Sequence, residues 1–179
     1  MAAVPTLHHA GLTLRAIDLG RDLAVLQTIF GDPAQMRYML RPALSEAETR
    51  AQITTWNESP DSPQWTITGD DDRACGRVTL VAHRQGVMEV GIQVAPDSQG
   101  RGIARRAICA VTLYGHSELG LGRVFADIDP DNHACIRTFE RAGYRREGHL
   151  VANWATESGF VDSLIYAATA GWQPGVSPA

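Results

Sequence analysis

The sequence predicts a single α/β (α+β) domain with a mixed, mostly antiparallel central sheet. Three observations carry that expectation. The 179 residues suit one domain better than two. A composition of 44% hydrophobic and 20% charged residues is that of a folded globule. The apolar periodicities run in the order β-α-α-β-β-β-α-β-α-β-β, which interleaves strands with helices and places helices on both sheet faces. About six or seven strands and about four helices are expected. The domain spans residues 1–168, and residues 169–179 are expected to form a flexible tail.

Each element has a local reason. Residues 11–17 alternate apolar and polar side chains like a first strand. Leu19, Leu23, Leu26 and Phe30 then recur at helical spacing. A short helical stretch follows Asp32-Pro33 as far as Leu40, and Ser45-Glu46-Ala47-Glu48 has capping-box spacing for a helix to about Trp56. Residues 58–63 read as a loop. Strands over 64–68, 75–83 and 87–95 are separated by turn residues, so an antiparallel meander is expected. Pro96–Gly102 leads into a helix reaching about Glu118. A strand over 123–129, a helix over 132–142 stopped at Gly143, and closing strands over 144–151 and 160–168 complete the order.

Composition also excludes functions. All 16 basic residues are arginine. A chain without lysine has no Walker A phosphate loop and no Schiff-base or pyridoxal lysine. A net charge of −4 gives no electrostatic case for non-specific nucleic-acid binding. No apolar run approaches the roughly 18 residues of a membrane span, and no signal peptide is evident in the first residues. Cys75, Cys109 and Cys135 are widely spaced and read as reduced thiols of a cytoplasmic protein. The histidines form no metal pattern, with His8 and His9 adjacent in an N-terminus expected to be loose.

The segment Gln99-Gly100-Arg101-Gly102-Ile103-Ala104 lies between a strand and a helix. Small residues there let a ligand approach the main chain, and the free N–H groups of the helix start favour a phosphate or pyrophosphate. Arg101, Arg105 and Arg106 add positive charge. A plain tight turn is the competing reading. A Rossmann fingerprint is excluded, because its third glycine position holds Arg105.

The same six residues match the Q/R-x-x-G-x-G/A signature of the GNAT superfamily of acetyl-CoA-dependent N-acetyltransferases, which the chain resembles along most of its length. Asp32-Pro-Ala-Gln-Met-Arg-Tyr38, Asp129-Pro-Asp-Asn-His-Ala-Cys-Ile-Arg-Thr-Phe-Glu-Arg-Ala-Gly-Tyr144 and Arg146-Glu-Gly-His-Leu150 are similar to its RimJ/RimL-type branch. The resemblance implies the GNAT fold, with acetyl-CoA as co-substrate. Its pyrophosphate would be held by main-chain N–H groups from Gly100 to Arg105, with Gln99, Arg101, Gly102, Ile103 and Ala104 in the same turn. Its pantetheine would lie along Ile92, Gln93 and Val94, with Asn132 and Phe139 beside the cofactor arm. Asn132 is equally suited to cap a helix.

Acetyl transfer needs a neutral amine, and therefore a proton acceptor. Met88, Val90, Ile92 and Val94 form one strand face, leaving Glu89 on the other, where it is either the base or a solvated carboxylate. Asp127, on a strand expected beside it, is the alternative base, and proximity of the two would raise one pKa. GNAT enzymes often carry a tyrosine acid where this chain has Phe139. Cys135 is then a candidate acid or a small buried hydrophobe. Trp56, Trp65 and Trp154 are candidates to wall an acceptor cleft, with core packing expected for at least two of them, and Asp70–Asp72 are expected to be solvated.

The function expected is transfer of acetyl from acetyl-CoA to a primary amine, either a protein N-terminus or a small amine such as an aminoglycoside or polyamine. A non-catalytic acyl-CoA-binding sensor is the alternative, and a nucleotide-binding regulator a third reading. A homodimer is compatible with the resemblance. No metal, nucleic acid or membrane partner is expected.

Overall fold

The computed structural model describes residues 4–59, 61–156 and 159–175. The elements are β1 (Leu7–His9), β2 (Leu12–Ala16), α1 (Leu19–Phe30), α2 (Pro33–Met36), α3 (Glu46–Asn57), β3 (Gln64–Thr68), β4 (Ala74–Arg84), β5 (Val87–Val94), α4 (Ile103–Ser117), β6 (Arg123–Ile128), α5 (His133–Arg141), β7 (Arg145–Thr156) and β8 (Gly159–Thr169). One sheet has the order β1-β2-β3-β4-β5-β6-β8-β7. Every neighbouring pair is antiparallel except β5 and β6, which run parallel.

The caps explain the helix starts. Asp18 and Asp32 each accept a hydrogen bond from the N–H two residues on, at 2.8 Å. Ser45 and Glu48 close the reciprocal capping box of α3. One sheet face packs an apolar core under α4 and α5, centred on Leu14, Ile67, Val78, Val90, Ile108, Val124 and Phe139. The other face, under α1 and α3, is more polar. Leu26, Phe30 and Ile53 cover sheet residues Gln64, Thr66, Arg77 and Thr79. Asp22 is buried there and accepts both Arg15 Nη atoms at 2.8 Å and Thr66 Oγ1 at 2.6 Å. Burial alone would raise its pKa, but these donors hold it below the ordinary carboxylate range.

Three expectations are corrected. The segment that holds His8 and His9 is not loose: β1 pairs with β2 across a turn in which Ala10 and Gly11 both have positive φ, +48° and +74°. That is the backbone a two-residue hairpin requires, and Arg106 Nη1 donates to Ala10 O at 2.7 Å. The tail is docked as far as Gly175, because Trp172 Nε1 donates to Ala142 O at 3.1 Å and its ring packs edge-on to Tyr144. Residues 176–179 lie outside the described residues. Asp72 is not merely solvated, since its carboxylate accepts from both Arg15 and Arg21.

Candidate active site

The site begins where two strands part. β5 and β6 pair only through Val87–Arg123, Met88–Val124 and Glu89–Phe125. Beyond Glu89 they diverge, while β5 stays paired to β4 as far as Val94. The main chain from Val90 to Val94 therefore offers its other edge to a ligand, as a strand does to a missing neighbour. A cleft of about 960 Å³ opens there.

The glycine turn forms one end of it. Gly100 and Gly102 have φ of +74° and +70°, and a Cβ built on either would meet no atom within 4 Å. The turn is thus a shaped opening, with no packed contact behind either glycine. Gly102 caps α4 without a side-chain hydrogen bond, and the first helical bond runs from Arg106 N to Gly102 O. The N–H groups of Ile103, Ala104 and Arg105 are left for an anion, with the helix dipole behind them. Gln99 fixes the loop by donating to Val94 O at 3.0 Å and Gln35 Oε1 at 2.8 Å. This cradle suits a pyrophosphate.

The expected cofactor residues Ile92, Gln93, Val94, Gln99, Gly100, Gly102, Ile103, Ala104, Arg105, Asn132 and Phe139 all line the one cleft, as do Glu89 and Cys135. Arg101 does not. It lines a separate depression of about 610 Å³ with Arg73 and Cys75. Arg106 is diverted to the β1–β2 turn, so Arg105 and the unanticipated Arg141 are the arginines at this end of the cleft.

On α5, Asn132 is the N-cap, its Oδ1 accepting from Cys135 N at 3.1 Å. Phe139 is buried against the edge of Tyr144, with ring centroids 5.0 Å apart. Burial pushes the Cys135 thiol up to about 12. A donor that weak gives its proton uphill to a thiolate of ordinary pKa, about 8.5. Burial therefore favours the other reading of Cys135, a small apolar side chain, over that of an acid.

Glu89 and Asp127 face the same side of neighbouring strands. Burial first, and the Asp127 charge second, raise the Glu89 pKa above its ordinary value. Asp127 Oδ2 accepts from Trp154 Nε1 at 3.0 Å and Asn153 Nδ2 at 3.2 Å. Asp127 thus has one oxygen engaged by two donors, whereas neither Glu89 oxygen has a hydrogen-bond partner among the described residues. Trp65 is fully buried and Trp56 packs on Phe30, whereas Trp154 stands at the cleft.

Tyr38, Met39, Arg41, Asn153 and Ser163 were not legible as site residues. Tyr38 OH donates to Asp131 O at 3.4 Å, tying the segment after α2 to the start of α5.

A family model described as an acetyltransferase (GNAT) domain matches residues 11–145. The chain belongs to the GNAT acetyltransferase family. Acetyl-CoA is its co-substrate. This GNAT chain is 33% identical over 132 residues to an uncharacterized protein, YkkB, of Bacillus subtilis, covering 69% of this chain and 76% of that one. Two solved structures show the fold. Spermidine N-acetyltransferase from Vibrio cholerae, in complex with CoA and spermine, superposes with a TM-score of 0.78 at 23% identity, covering 89% of this chain and 95% of that chain. RimL, a ribosomal L7/L12 α-N-protein acetyltransferase in complex with coenzyme A, has a TM-score of 0.81 at 18% identity, covering 92% and 98%.

Proposed function

We propose that the chain acetylates a primary amine by direct attack, with Glu89 as general base. One observation carries this reading. A half-buried carboxylate of raised pKa, with no hydrogen-bond partner among the described residues, stands where β5 and β6 part. Acetyl-CoA supplies the acetyl group as a thioester.

The chain's residues supply placement and proton handling. Glu89 accepts a proton from the incoming ammonium, directly or through one water. The neutral nitrogen then forms the new C–N bond as the C–S bond breaks, the sulfur leaves with the electron pair, and the proton the nitrogen sheds on becoming an amide passes to that thiolate, directly or through water. A carboxylate of raised pKa is the better base for this step, because its protonated form is less costly. Burial, and then the charge of Asp127 held by Trp154 and Asn153, sustain that pKa. The resemblance to RimL and the likeness to a spermidine acetyltransferase support an amine acceptor of either a protein or a polyamine kind.

The test is thiol release from acetyl-CoA against peptides with free N-termini, aminoglycosides, polyamines and amino acids. Release that saturates with one amine class is the expected result. Acetyl-CoA that raises the Tm while no amine releases thiol would replace this reading with a non-catalytic acyl-CoA sensor.

A further inference from the structure

β7 is an edge strand, so no outer neighbour holds its main chain. Its pairing with β8 breaks between Leu150, opposite Ser163, and Trp154, opposite Val161. Within the break Ala152 has φ of +50°, a left-handed backbone that is unfavourable for a residue bearing a Cβ. That backbone has a definite result. Consecutive residues of a regular strand point to opposite faces, yet Asn153 Nδ2 and Trp154 Nε1 both donate to Asp127 Oδ2, at 3.2 and 3.0 Å. Both reach β6 across the intervening β8, where Asn153 Nδ2 also donates to the buried Ser163 Oγ at 3.0 Å. In a regular strand one of the two side chains would face away from Asp127.

One side chain holds this irregular backbone. Asp162 Oδ1 accepts the Ala152 N–H at 2.9 Å, and Asp162 Oδ2 lies 2.7 Å from His149 Nε2. A single carboxylate thus ties a residue before the break to the residue at its centre. The Ala152 N–H first, and His149 second, hold the Asp162 carboxyl below its ordinary pKa, so at neutral pH it is an ionised acceptor. Asp162 lines the same cleft as Glu89 and Asp127, but its carboxylate's partners among the described residues both lie on β7.

We infer that Asp162 is a positioning residue for the acetyl transfer: by tying Ala152 to His149 it fixes the backbone that sets Asn153 and Trp154 on the Asp127 carboxylate. This inference rests on the amine-acetylation reading above. With Asp162 in place, Asp127 is held in one orientation on the strand next to Glu89, and Trp154 forms a fixed wall. The amine then meets the base in one geometry. The glycine turn has no part in this arrangement, so acetyl-CoA binding is independent of it.

The experiment follows thiol release from acetyl-CoA with the amine panel above, Tm with and without acetyl-CoA, and Trp154 fluorescence. The Trp154 emission is the difference between each protein and the same protein carrying Trp154→Phe. Asp162→Ala is expected to lower kcat by about tenfold, to shift the Trp154 emission toward that of a solvated indole, and to keep the acetyl-CoA stabilisation. Asp162→Asn is expected to recover most of that loss, because an amide oxygen can accept the Ala152 N–H and an amide nitrogen can donate to neutral His149. In an Asn153→Ala, Trp154→Phe background, Asp162→Ala is expected to add no more than about a twofold loss. Should Asp162→Ala fail to fold, His149→Ala decides: it removes one of the two bonds, and a smaller loss of about threefold with a partial emission shift is expected. Unchanged kcat and emission in the variant that decides overturn the inference. So does an Asp162→Asn protein as impaired as Asp162→Ala, or an undiminished loss in the double background. Silence of the wild type on every amine overturns the transferase reading, whereas the emission still reports separately whether Asp162 holds the strand.

Discussion

The two ends of the cleft are built by different means. At the glycine turn, Gly100, Gly102 and the first turn of α4 present main-chain N–H groups, and the side chains of Ile103 and Ala104 add little polarity. At the acceptor end, Glu89, Asp127, Trp154 and Arg41 come from β5, β6, β7 and the segment after α2, and side chains supply every polar group. A main-chain site depends on a short run of backbone angles, so a few residues specify it. A side-chain site depends on which distant strands become neighbours. The first kind suits a common group such as a phosphate; the second suits what is chemically particular to one chain.

If that division is right, disturbing the turn should cost binding. Gly102→Val is expected to have the largest effect. Valine at φ +70° costs roughly 1–2 kcal/mol in the left-handed region, and its side chain would project into the open cradle. The expected outcome is that acetyl-CoA no longer raises the Tm and kcat/KM falls by about 100-fold or more. Retained stabilisation by acetyl-CoA would undo the main-chain assignment.

Disturbing the acceptor end should instead cost chemistry. Glu89→Gln is expected to lower kcat at neutral pH by about 100-fold, to leave acetyl-CoA stabilisation in place, and to recover in part at alkaline pH, where the amine is already neutral. Its companion Asp127→Asn tests the coupling. Burial and the Asp127 charge both raise the Glu89 pKa, and the reactive form of Glu89 is the ionised one. Removing that charge lets the pKa fall, so the acid limb of the kcat/KM profile moves to lower pH. An unmoved limb would mean that the carboxylates act separately.

The smallest effect is expected at Cys135. Because burial holds its thiol up to about 12, Cys135→Ser should change kcat by no more than about twofold. A loss of tenfold or more would restore it as the acid.

The same division decides what could be read from sequence. The turn at 99–104, the alternation that sets Glu89 opposite Met88 and Val90, and the capping residues Ser45 and Asn132 were all local, and the structure places them as their spacing indicates. β1 was missed because Ala10-Gly11 carries little turn signal, and because its geometry is held by Arg106 from a distant helix. The diversion of Arg106 removed a charge expected beside the phosphate cradle. β7 was read as ending at 151, whereas it continues to Thr156 past a register shift between Leu150 and Trp154. That shift carries Asn153 and Trp154 to Asp127. The burial of Arg77 was equally invisible, since its partners Gln64, Gln93 and Trp56 lie on three other elements.

The irregularity in β7 has a consequence for how such a protein changes over generations. Leu150 stands opposite Ser163 and Trp154 opposite Val161, so three residues on one strand face Asp162 alone, whose carboxylate accepts the Ala152 N–H at 2.9 Å. Side chains alternate faces along a strand, so gaining or losing one residue in 151–153 would exchange the groups presented to the acceptor. The hairpin lies at the sheet edge, far in sequence from the glycine turn. A single insertion or deletion there could redirect the enzyme to a new amine while its acetyl donor site is inherited intact.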